Sequence, residues 1–221
     1  YVDRAVEIFD LWTAVYAGDS DKITRVISSW AGFNDVAPAM LDYPGVLGKV
    51  DALAMGAYIG IYMSFGEHES VVENWSKETV FREFEEGILG ADDAPNGAMD
   101  QVLTMIDDNA TIAEEYGVDL YGYESGGHLW AEDTETNPRI RRLFRSVVRD
   151  SRMGLYYLQL YNHWRQAGGK LINNFAHMFP HRLDQFGTYT NEFDECSDLP
   201  KAGAVNQFIR DNSCWWSGCD D

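Results

Sequence analysis

The stretch Val118-Asp-Leu-Tyr-Gly-Tyr-Glu124-Ser-Gly-Gly-His128-Leu-Trp130 decides how the fold of the chain is interpreted. It begins as a short apolar run rich in β-forming residues, which is the pattern of a buried parallel strand. The run ends at Glu124, and the two glycines that follow allow a sharp turn or the close approach of a ligand. Because α/β proteins place their chemistry at the carboxyl ends of strands, we predict that Glu124 is a functional carboxylate in a cleft. The alternative is a solvated glutamate in a turn.

Composition bounds the class of protein. The 221 residues form one large domain or a substantial part of one, and hydrophobic residues make up 45% of them. The net charge of −19, from 36 acidic and 17 basic residues, repels phosphate backbones and anionic lipid. We therefore expect no nucleic-acid partner and no membrane partner, and no apolar run has the length of a membrane span.

The two ends of the chain carry further expectations. The first residue is Tyr1, in what reads as a helix, so we expect a processed chain or a fragment that lacks an earlier segment. Cys196, Cys214 and Cys219 fall in a loop-rich tail, which predicts one disulfide and a remaining thiol. Pairing of Cys196 with either of the others closes the larger loop. Zinc is the alternative, but the spacing matches no finger pattern, and we predict no metal site.

Two tripeptides, Asn74-Trp-Ser and Asn109-Ala-Thr, fit the rule for N-glycosylation. Together with the cysteines and the acidic composition, they favour an extracellular or secreted glycoprotein.

Strands and helices alternate along the chain. Strands are predicted at 23–30, 50–60, 118–123 and 170–177, with helices before, between and after them. The first helix is expected to use Ala5, Ile8, Phe9, Trp12 and Tyr16 as one apolar face. This order means a parallel sheet with right-handed crossovers, either as an open doubly wound sheet or as half of a (β/α)8 barrel.

The strand ends favour the barrel. No glycine-rich phosphate loop occurs, so a nucleotide-binding open sheet is disfavoured and no cofactor is expected. Trp30, Tyr58, Glu124 and His177 lie at the four strand ends, as the mouth of a barrel requires. We predict an α/β fold, the parallel four-stranded C-terminal half of a (β/α)8 (TIM) barrel, in residues 1–190. A terminal helix and the cysteine-containing tail follow in residues 191–221.

Several short motifs then carry a resemblance to a known family: Ile8-Phe-Asp-Leu-Trp, Arg25-Val-Ile-Ser-Ser-Trp, Asp51-Ala-Leu-Ala-Met-Gly-Ala-Tyr-Ile-Gly60, Tyr121-Gly-Tyr-Glu-Ser-Gly-Gly-His-Leu and Trp164-Arg-Gln-Ala-Gly-Gly. In this order, over most of residues 4–190, they resemble the C-terminal half of cellulase-like proteins, which are secreted glycoside hydrolases on (β/α)8 barrels. The resemblance implies that Glu124 is the nucleophile of a retaining β-glycosidase. In that family the acid/base glutamate lies in an Asn-Glu motif at the end of the fourth barrel strand, and the resemblance implies that this chain would begin just after that point.

The residues also suggest how a sugar is held. Aromatic rings stack on the apolar faces of pyranoses, and histidine and asparagine side chains bind hydroxyl groups. The predicted substrate-binding residues are Trp30, Tyr58, Trp75, His128, Trp130, Asn174 and His177. The alternative for each is a packing role in the core.

The expected function is thus part of a secreted glycoside hydrolase that cleaves β-linked glycans by a retaining, two-carboxylate mechanism. Its partners would be a polysaccharide or oligosaccharide and an N-terminal segment, or another chain, that completes the barrel. The alternative is a non-catalytic barrel that serves as a structural or carbohydrate-binding element of an extracellular assembly.

Overall fold

The computed structural model describes residues 1–65, 67–129, 137–178, 187–188 and 199–219. The α-helices are α1 (Val2–Val15), α2 (Val36–Leu41), α3 (Glu67–Val72), α4 (Lys77–Glu86), α5 (Ala98–Tyr116), α6 (Pro138–Val148), α7 (Arg152–Gln166) and α8 (Pro200–Asp211). The strands are β1 (Val26–Ser28), β2 (Ala52–Ile59) and β3 (Asp119–Gly127).

The three strands form an open parallel sheet in the order β1-β2-β3. Val26 of β1 lies opposite Ala52 of β2 in parallel register. At the start of β3 the amide of Asp119 donates to the carbonyl of Asp51 at 2.9 Å. The predicted class, a mixed α/β fold with parallel strands in sequence order, is confirmed.

The fourth predicted strand, 170–177, is reduced to a single bridge. Gly122 and Ile172 form an isolated parallel bridge beside β3, in which the amide of Gly122 donates to the carbonyl of Leu171 at 2.7 Å. The approach is close because Gly122 has no Cβ: one placed there would lie 2.7 Å from Cγ1 of Ile172. The segment therefore runs parallel to β3 without forming a regular strand.

The chain divides into two compact units. The first comprises Tyr1–Ala57, Met105–Glu124 and Ala167–Asn173, and the second Tyr58–Thr104, Ser125–Gln166 and Asn174–Asp221. In the first unit one face of the sheet is buried beneath helices. That core consists of Ile27, Ala37, Met40, Leu41, Val46, Val50, Leu53 and Ile112.

Helix α1 packs on this core with a different face from the one predicted. Val2, Val6 and Phe9 contact the core, but Ile8 and Trp12 are 39% and 53% exposed. The predicted apolar face was therefore wrong at those two positions. The helix has apolar residues on more than one side, so periodicity alone did not identify the side that is buried.

In the second unit, α4 and α7 pack through aromatic rings. Tyr156 stacks on Phe81 with centroids 5.9 Å apart, and the Arg152 guanidinium lies 3.7 Å from the centroid of the same Phe81 ring. Helix α8 packs against α7, where the rings of Tyr161 and Phe208 are 5.5 Å apart. Helix α4 begins after Ser76, whose side chain accepts a hydrogen bond from the amide of Thr79.

One disulfide is present in the tail. Cys214 pairs with Cys219, with Cα atoms 5.8 Å apart, so a disulfide among the three cysteines is confirmed, and the pair closes the small loop. Cys196 lies outside the described residues. Among the helices that the structure describes, none is long and apolar enough to cross a membrane.

The two candidate glycosylation sites differ in access. Asn74 is exposed at the end of α3. Asn109 is only 2% exposed, and its side-chain amide donates to the carbonyl of Met105 at 2.9 Å and to that of Ala31 at 3.4 Å. A glycan on Asn109 is incompatible with this packing.

Candidate functional site

Glu124 lies inside β3 rather than at its end. We expected the strand to end at Glu124, but it continues through Ser125 and the two glycines to Gly127. The continuation is held at its end, where the amide of His128 donates to the carbonyl of Ile59 at 2.9 Å. Gly126 has φ +127°, a backbone conformation that other residues adopt only with strain, so this position of the strand requires glycine. Glu124 is half-buried, three residues before the carboxyl end of the strand.

Tyr123 precedes Glu124 in β3, and its side chain packs against β2 within the first unit. Its hydroxyl approaches Gly56 so closely that a Cβ at position 56 would be 3.0 Å from Oη. Burial raises the pKa of Tyr123, and the charge of Glu124 adds to the shift, while a hydrogen bond from the Gly56 backbone opposes it. Tyr123 therefore keeps its hydroxyl proton at neutral pH.

Trp30 follows the carboxyl end of β1 and is 63% exposed. Its ring meets that of Phe33 edge-on at 6.1 Å, and Phe33 is itself 57% exposed. In the same loop Ala31 is buried, and the side-chain amide of Asn34 donates to Asp108 at 2.7 Å. Two neighbouring aromatic rings are thus exposed to solvent, and we call this pair the Trp30–Phe33 platform.

A buried chain of hydroxyl groups holds Asn174 in the second unit. Tyr161 donates to Oδ1 of Asn174 at 2.8 Å, and its hydroxyl is 3.3 Å from that of the buried Ser125. Burial raises the pKa of Tyr161 well above its usual value. The amide nitrogen of Asn174 donates in turn to the carbonyl of Ala176 at 3.5 Å, so both ends of the side-chain amide have partners within the protein.

A second buried tyrosine supports the end of β3. The amide of Gly127 donates to the hydroxyl of Tyr157 at 2.9 Å. Burial raises the pKa of Tyr157 to about 12, against the effect of this hydrogen bond. A Cβ at Gly126 would lie 2.7 Å from the same hydroxyl, so only glycine fits there.

Tyr58 and His128 meet in the second unit. Their rings are perpendicular with centroids 5.1 Å apart, and Phe65 lies 6.4 Å from the His128 ring. Both predicted residues are half-buried, so each retains an accessible surface. The two predictions are therefore brought together in one aromatic cluster.

The remaining predicted residues are dispersed. Trp75 is half-buried between α3 and α4, directly before Ser76, whose side chain caps α4. His177 is exposed, and its carbonyl accepts from Oγ1 of Thr188 at 2.6 Å. Trp130 lies outside the described residues.

The predicted site residues fall in both compact units. Trp30 and Glu124 belong to the first unit, and Tyr58, Trp75, His128, Asn174 and His177 to the second. Within the described ranges no group of three His, Cys, Asp or Glu side chains is arranged to hold a metal ion.

Sequence reasoning missed three contributors: Phe33, the partnership of Tyr123 with Gly56, and Tyr161. For the contact between Tyr123 and Gly56 the sequence offers an indirect signal, since a glycine inside an otherwise apolar strand marks the close approach of another group. For Phe33 and Tyr161 the spacing of apolar residues indicates packing equally well.

No protein-family model, curated protein or solved structure matches the chain.

Proposed function

We propose that this chain is part of a secreted glycoside hydrolase that cleaves β-linked glycans with retention of configuration, and that Glu124 is its nucleophile. The observation that carries the proposal is the placement of a half-buried glutamate near the carboxyl end of a strand in a parallel sheet. That edge of parallel α/β sheets is where such proteins bind and transform their ligands.

The chemistry requires two carboxyl groups. In a retaining mechanism Glu124 attacks the anomeric carbon to form a glycosyl ester, and the leaving oxygen takes a proton from the second carboxyl group. Water then cleaves the ester, with the second group acting as base. The two groups must stand about 5–5.5 Å apart. We propose that the second carboxyl group belongs to the segment or chain that completes the barrel, in keeping with the resemblance to cellulase-like proteins.

The half-barrel form of the fold is part of the proposal. It is supported by the hydrogen bonds that place residues 170–173 parallel to β3, on the opposite side from β2 in the order of the sheet. The two edge strands of such a half barrel have backbone amide and carbonyl groups without strand partners, so another segment or chain is needed at both edges.

Sugar binding is supported by the Trp30–Phe33 platform. Both rings belong to the same unit as Glu124 and follow the carboxyl end of β1. Rigid aromatic rings give contact area at low entropic cost, which suits the apolar face of a neutral pyranose. The net charge of −19 makes an anionic ligand a poor alternative.

The same platform supports a second candidate function. A non-catalytic barrel that binds carbohydrate would need the exposed rings but not Glu124. The two functions differ in a single respect, which is whether the Glu124 carboxylate forms a bond with the sugar.

Covalent trapping distinguishes them. The native-length protein is incubated with 2-deoxy-2-fluoro β-glycosides carrying a good leaving group, then digested and mapped by mass spectrometry. The proposal predicts a fluoroglycosyl ester on the peptide that contains Glu124, and no ester in the Glu124→Gln variant. Glycan binding without any ester would favour the non-catalytic barrel, and an ester on another carboxylate would remove Glu124 from the mechanism.

A further inference from the structure

Helix α6 concentrates positive charge in an acidic protein. Arg139, Arg141, Arg142 and Arg145 lie within it and Arg149 is its C-cap residue, whereas α6 contains no acidic residue. The whole chain has 17 basic and 36 acidic residues, so five arginines within about three turns of one helix are a local exception. We call these five residues the α6 arginine row.

The row lies on the side of α6 that faces solvent. At 100° per residue, four of the five arginines fall within an arc of about 120°, with Arg141 about 40° beyond it. From Arg139 to Arg149 the row extends about 15 Å along the helix axis. The buried side chains of α6 occupy the opposite side of the helix, and they are Ile140, Leu143, Phe144, Val147 and Val148.

The positive charge of the row is not neutralised at its N-terminal end. The guanidinium groups of Arg139, Arg141 and Arg142 form no ion pair or hydrogen bond with any residue in the part of the chain that the structure describes. Arg145 and Arg149 take part in other contacts, so the first three are the arginines available to a ligand. Burial lowers the pKa of Arg145, and the like charges of Arg141 and Arg149 lower it further, because neighbouring arginines repel one another.

The start of α6 makes these charges less favourable still. The positive end of the helix macrodipole lies there, and the first turn has no acidic residue to balance it. Glu69 and Glu73 of α3 reach this point, but they accept hydrogen bonds from the side-chain amide of Asn137 at 3.1 and 2.6 Å. Asn137 also caps the helix by accepting from the amides of Arg139 and Ile140. The guanidinium groups, rather than the capped backbone, are therefore the donors for an anion.

We infer that the α6 arginine row binds an acidic polysaccharide through the sulfate or carboxylate groups along its chain. A guanidinium group binds such an anion with two parallel hydrogen bonds, and a row of arginines repeats this contact along the helix. The bound anions offset both the repulsion within the row and the effect of the macrodipole. The site lies in the second unit and does not depend on the role of Glu124, which belongs to the first.

The residues around the arginines select this partner among polyanions. Single-stranded nucleic acid is held by cations together with aromatic rings that stack on its bases. A membrane surface is held by cations flanked by apolar side chains, and a protein partner needs an apolar centre. The exposed residues of α6 other than arginines are Pro138 and Ser146, which supply neither stacking rings nor an apolar patch. An acidic polysaccharide requires only the charges.

Binding at this site should depend on salt in a defined way. The net charge of −19 opposes the approach of any polyanion, so the site depends on the local field of the row. At about 0.1 M salt, charges farther than roughly 10 Å away are largely screened, while arginines in contact with the ligand are not. Three contacts at about 0.7 released counterions each, the value for single-stranded polyanions, predict that affinity falls about tenfold between roughly 0.1 and 0.3 M salt.

Calorimetric titration of the native-length protein tests the inference with heparin oligosaccharides, polygalacturonate oligosaccharides and neutral dextran of matched length. We expect binding of the acidic glycans with the salt dependence given above, and no binding of dextran. Absence of binding to either acidic glycan at about 0.1 M salt would overturn the inference. So would tighter binding of poly-dT or of phosphatidylserine vesicles, which would assign the row to nucleic acid or to a membrane.

Substitutions test whether the glycan lies on α6. Arg142→Gln should weaken binding about fivefold, as for the loss of one cation beside an anionic surface. Replacement of Arg139, Arg141 and Arg142 together with glutamine should abolish binding, and the relief of repulsion should leave the melting temperature at or above that of the parent. Arg210→Gln is the matched control, because it removes an exposed arginine from α8 in the same unit. Equal losses of affinity in Arg142→Gln and Arg210→Gln, or a lower melting temperature of the triple variant, would contradict the inference.

Discussion

The hydroxyl of Tyr123 lies against Gly56 of the neighbouring strand, where a Cβ would be 3.0 Å from Oη and 3.2 Å from Cζ of the ring. This contact determines where the residue beside Glu124 is placed. It depends on β2 having no side chain at that position, so the glycine is part of the candidate site although it carries no functional group.

Replacing Gly56 with alanine should therefore displace Tyr123. We expect Gly56→Ala to destabilise the protein by about 1–3 kcal/mol, the usual cost of overpacking, despite the better strand propensity of alanine. Denaturant unfolding measures the change. In a Tyr123→Ala background the ring is gone, so Gly56→Ala should then be neutral or stabilising. Equal costs in both backgrounds would show that the contact does not constrain Tyr123.

The ion pair between Arg25 and Asp51 predicts how stability depends on pH. Asp51 accepts from the backbone amide and from Nε of Arg25 at 2.7 and 2.8 Å, and its other oxygen accepts from Nη2 at 2.7 Å. These side-chain hydrogen bonds hold the pKa of Asp51 below its usual value, against desolvation. The pair's contribution is therefore complete above the unfolded-state pKa of about 3.9 and is lost as pH falls through the lower folded-state pKa.

Asp51→Asn should remove this contribution. Because both side chains are partly exposed, we expect a loss of only about 1 kcal/mol at pH 7 and a smaller fall in stability below about pH 4 than in the parent. Urea unfolding between pH 2 and pH 7 measures both. The control is Asp35→Asn, at an exposed aspartate near α2. Parallel pH profiles for the parent and Asp51→Asn would contradict the assignment.

The Trp30–Phe33 platform predicts where a glycan binds. Trp30→Ala and Phe33→Ala should each weaken the binding of neutral β-glucan oligosaccharides, by about tenfold for the tryptophan, as expected for the loss of one well-packed ring. Both residues are exposed, so stability should change by less than about 0.5 kcal/mol. Calorimetric titration measures the affinity.

Trp12→Ala is the matched control for this experiment, since it removes another tryptophan of comparable exposure from α1. It should leave the affinity for the oligosaccharide unchanged when dilute protein is used. An equal loss of affinity in Trp12→Ala would place the sugar elsewhere.

The disulfide predicts a specific chemical result. Peptide mapping of the unreduced protein should recover Cys214 linked to Cys219. The closed loop is short, so its reduction should lower the free energy of unfolding by about 2 kcal/mol. Cys214→Ser and Cys219→Ser should have equal effects. Alkylation of both thiols without prior reduction, or a peptide that links either one to Cys196, would refute the pairing.

The sequence predicted the alternation of strands and helices well, for a physical reason. The small apolar residues of β2 and the β-branched run around β1 specify buried strands locally, and Lys77–Glu86 specifies a helix with a serine cap. In those elements local preference and burial agree.

Other features depended on residues remote in sequence. The glycines after Glu124 were interpreted as allowing a turn, but both belong to β3, and the hydroxyl of Tyr157, 30 residues after Gly127, accepts a hydrogen bond from the Gly127 amide. Asn109 fits the local rule for glycosylation, but its side-chain amide donates a hydrogen bond to the carbonyl of Ala31, 78 residues earlier. A local residue pattern does not contain partners so distant in sequence. The spacing of apolar residues in α1 likewise did not distinguish the exposed side of the helix from its buried side.

The central claim, that Glu124 is the nucleophile, is tested most directly by hydrolysis of aryl β-glycosides and β-glucans by the native-length protein and its Glu124→Gln variant. Thermal melting confirms the fold of both. The account predicts turnover by the parent and its loss in the variant by several orders of magnitude, with the melting temperature and most of the glycan affinity retained. Near-normal turnover by a well-folded Glu124→Gln protein would contradict it.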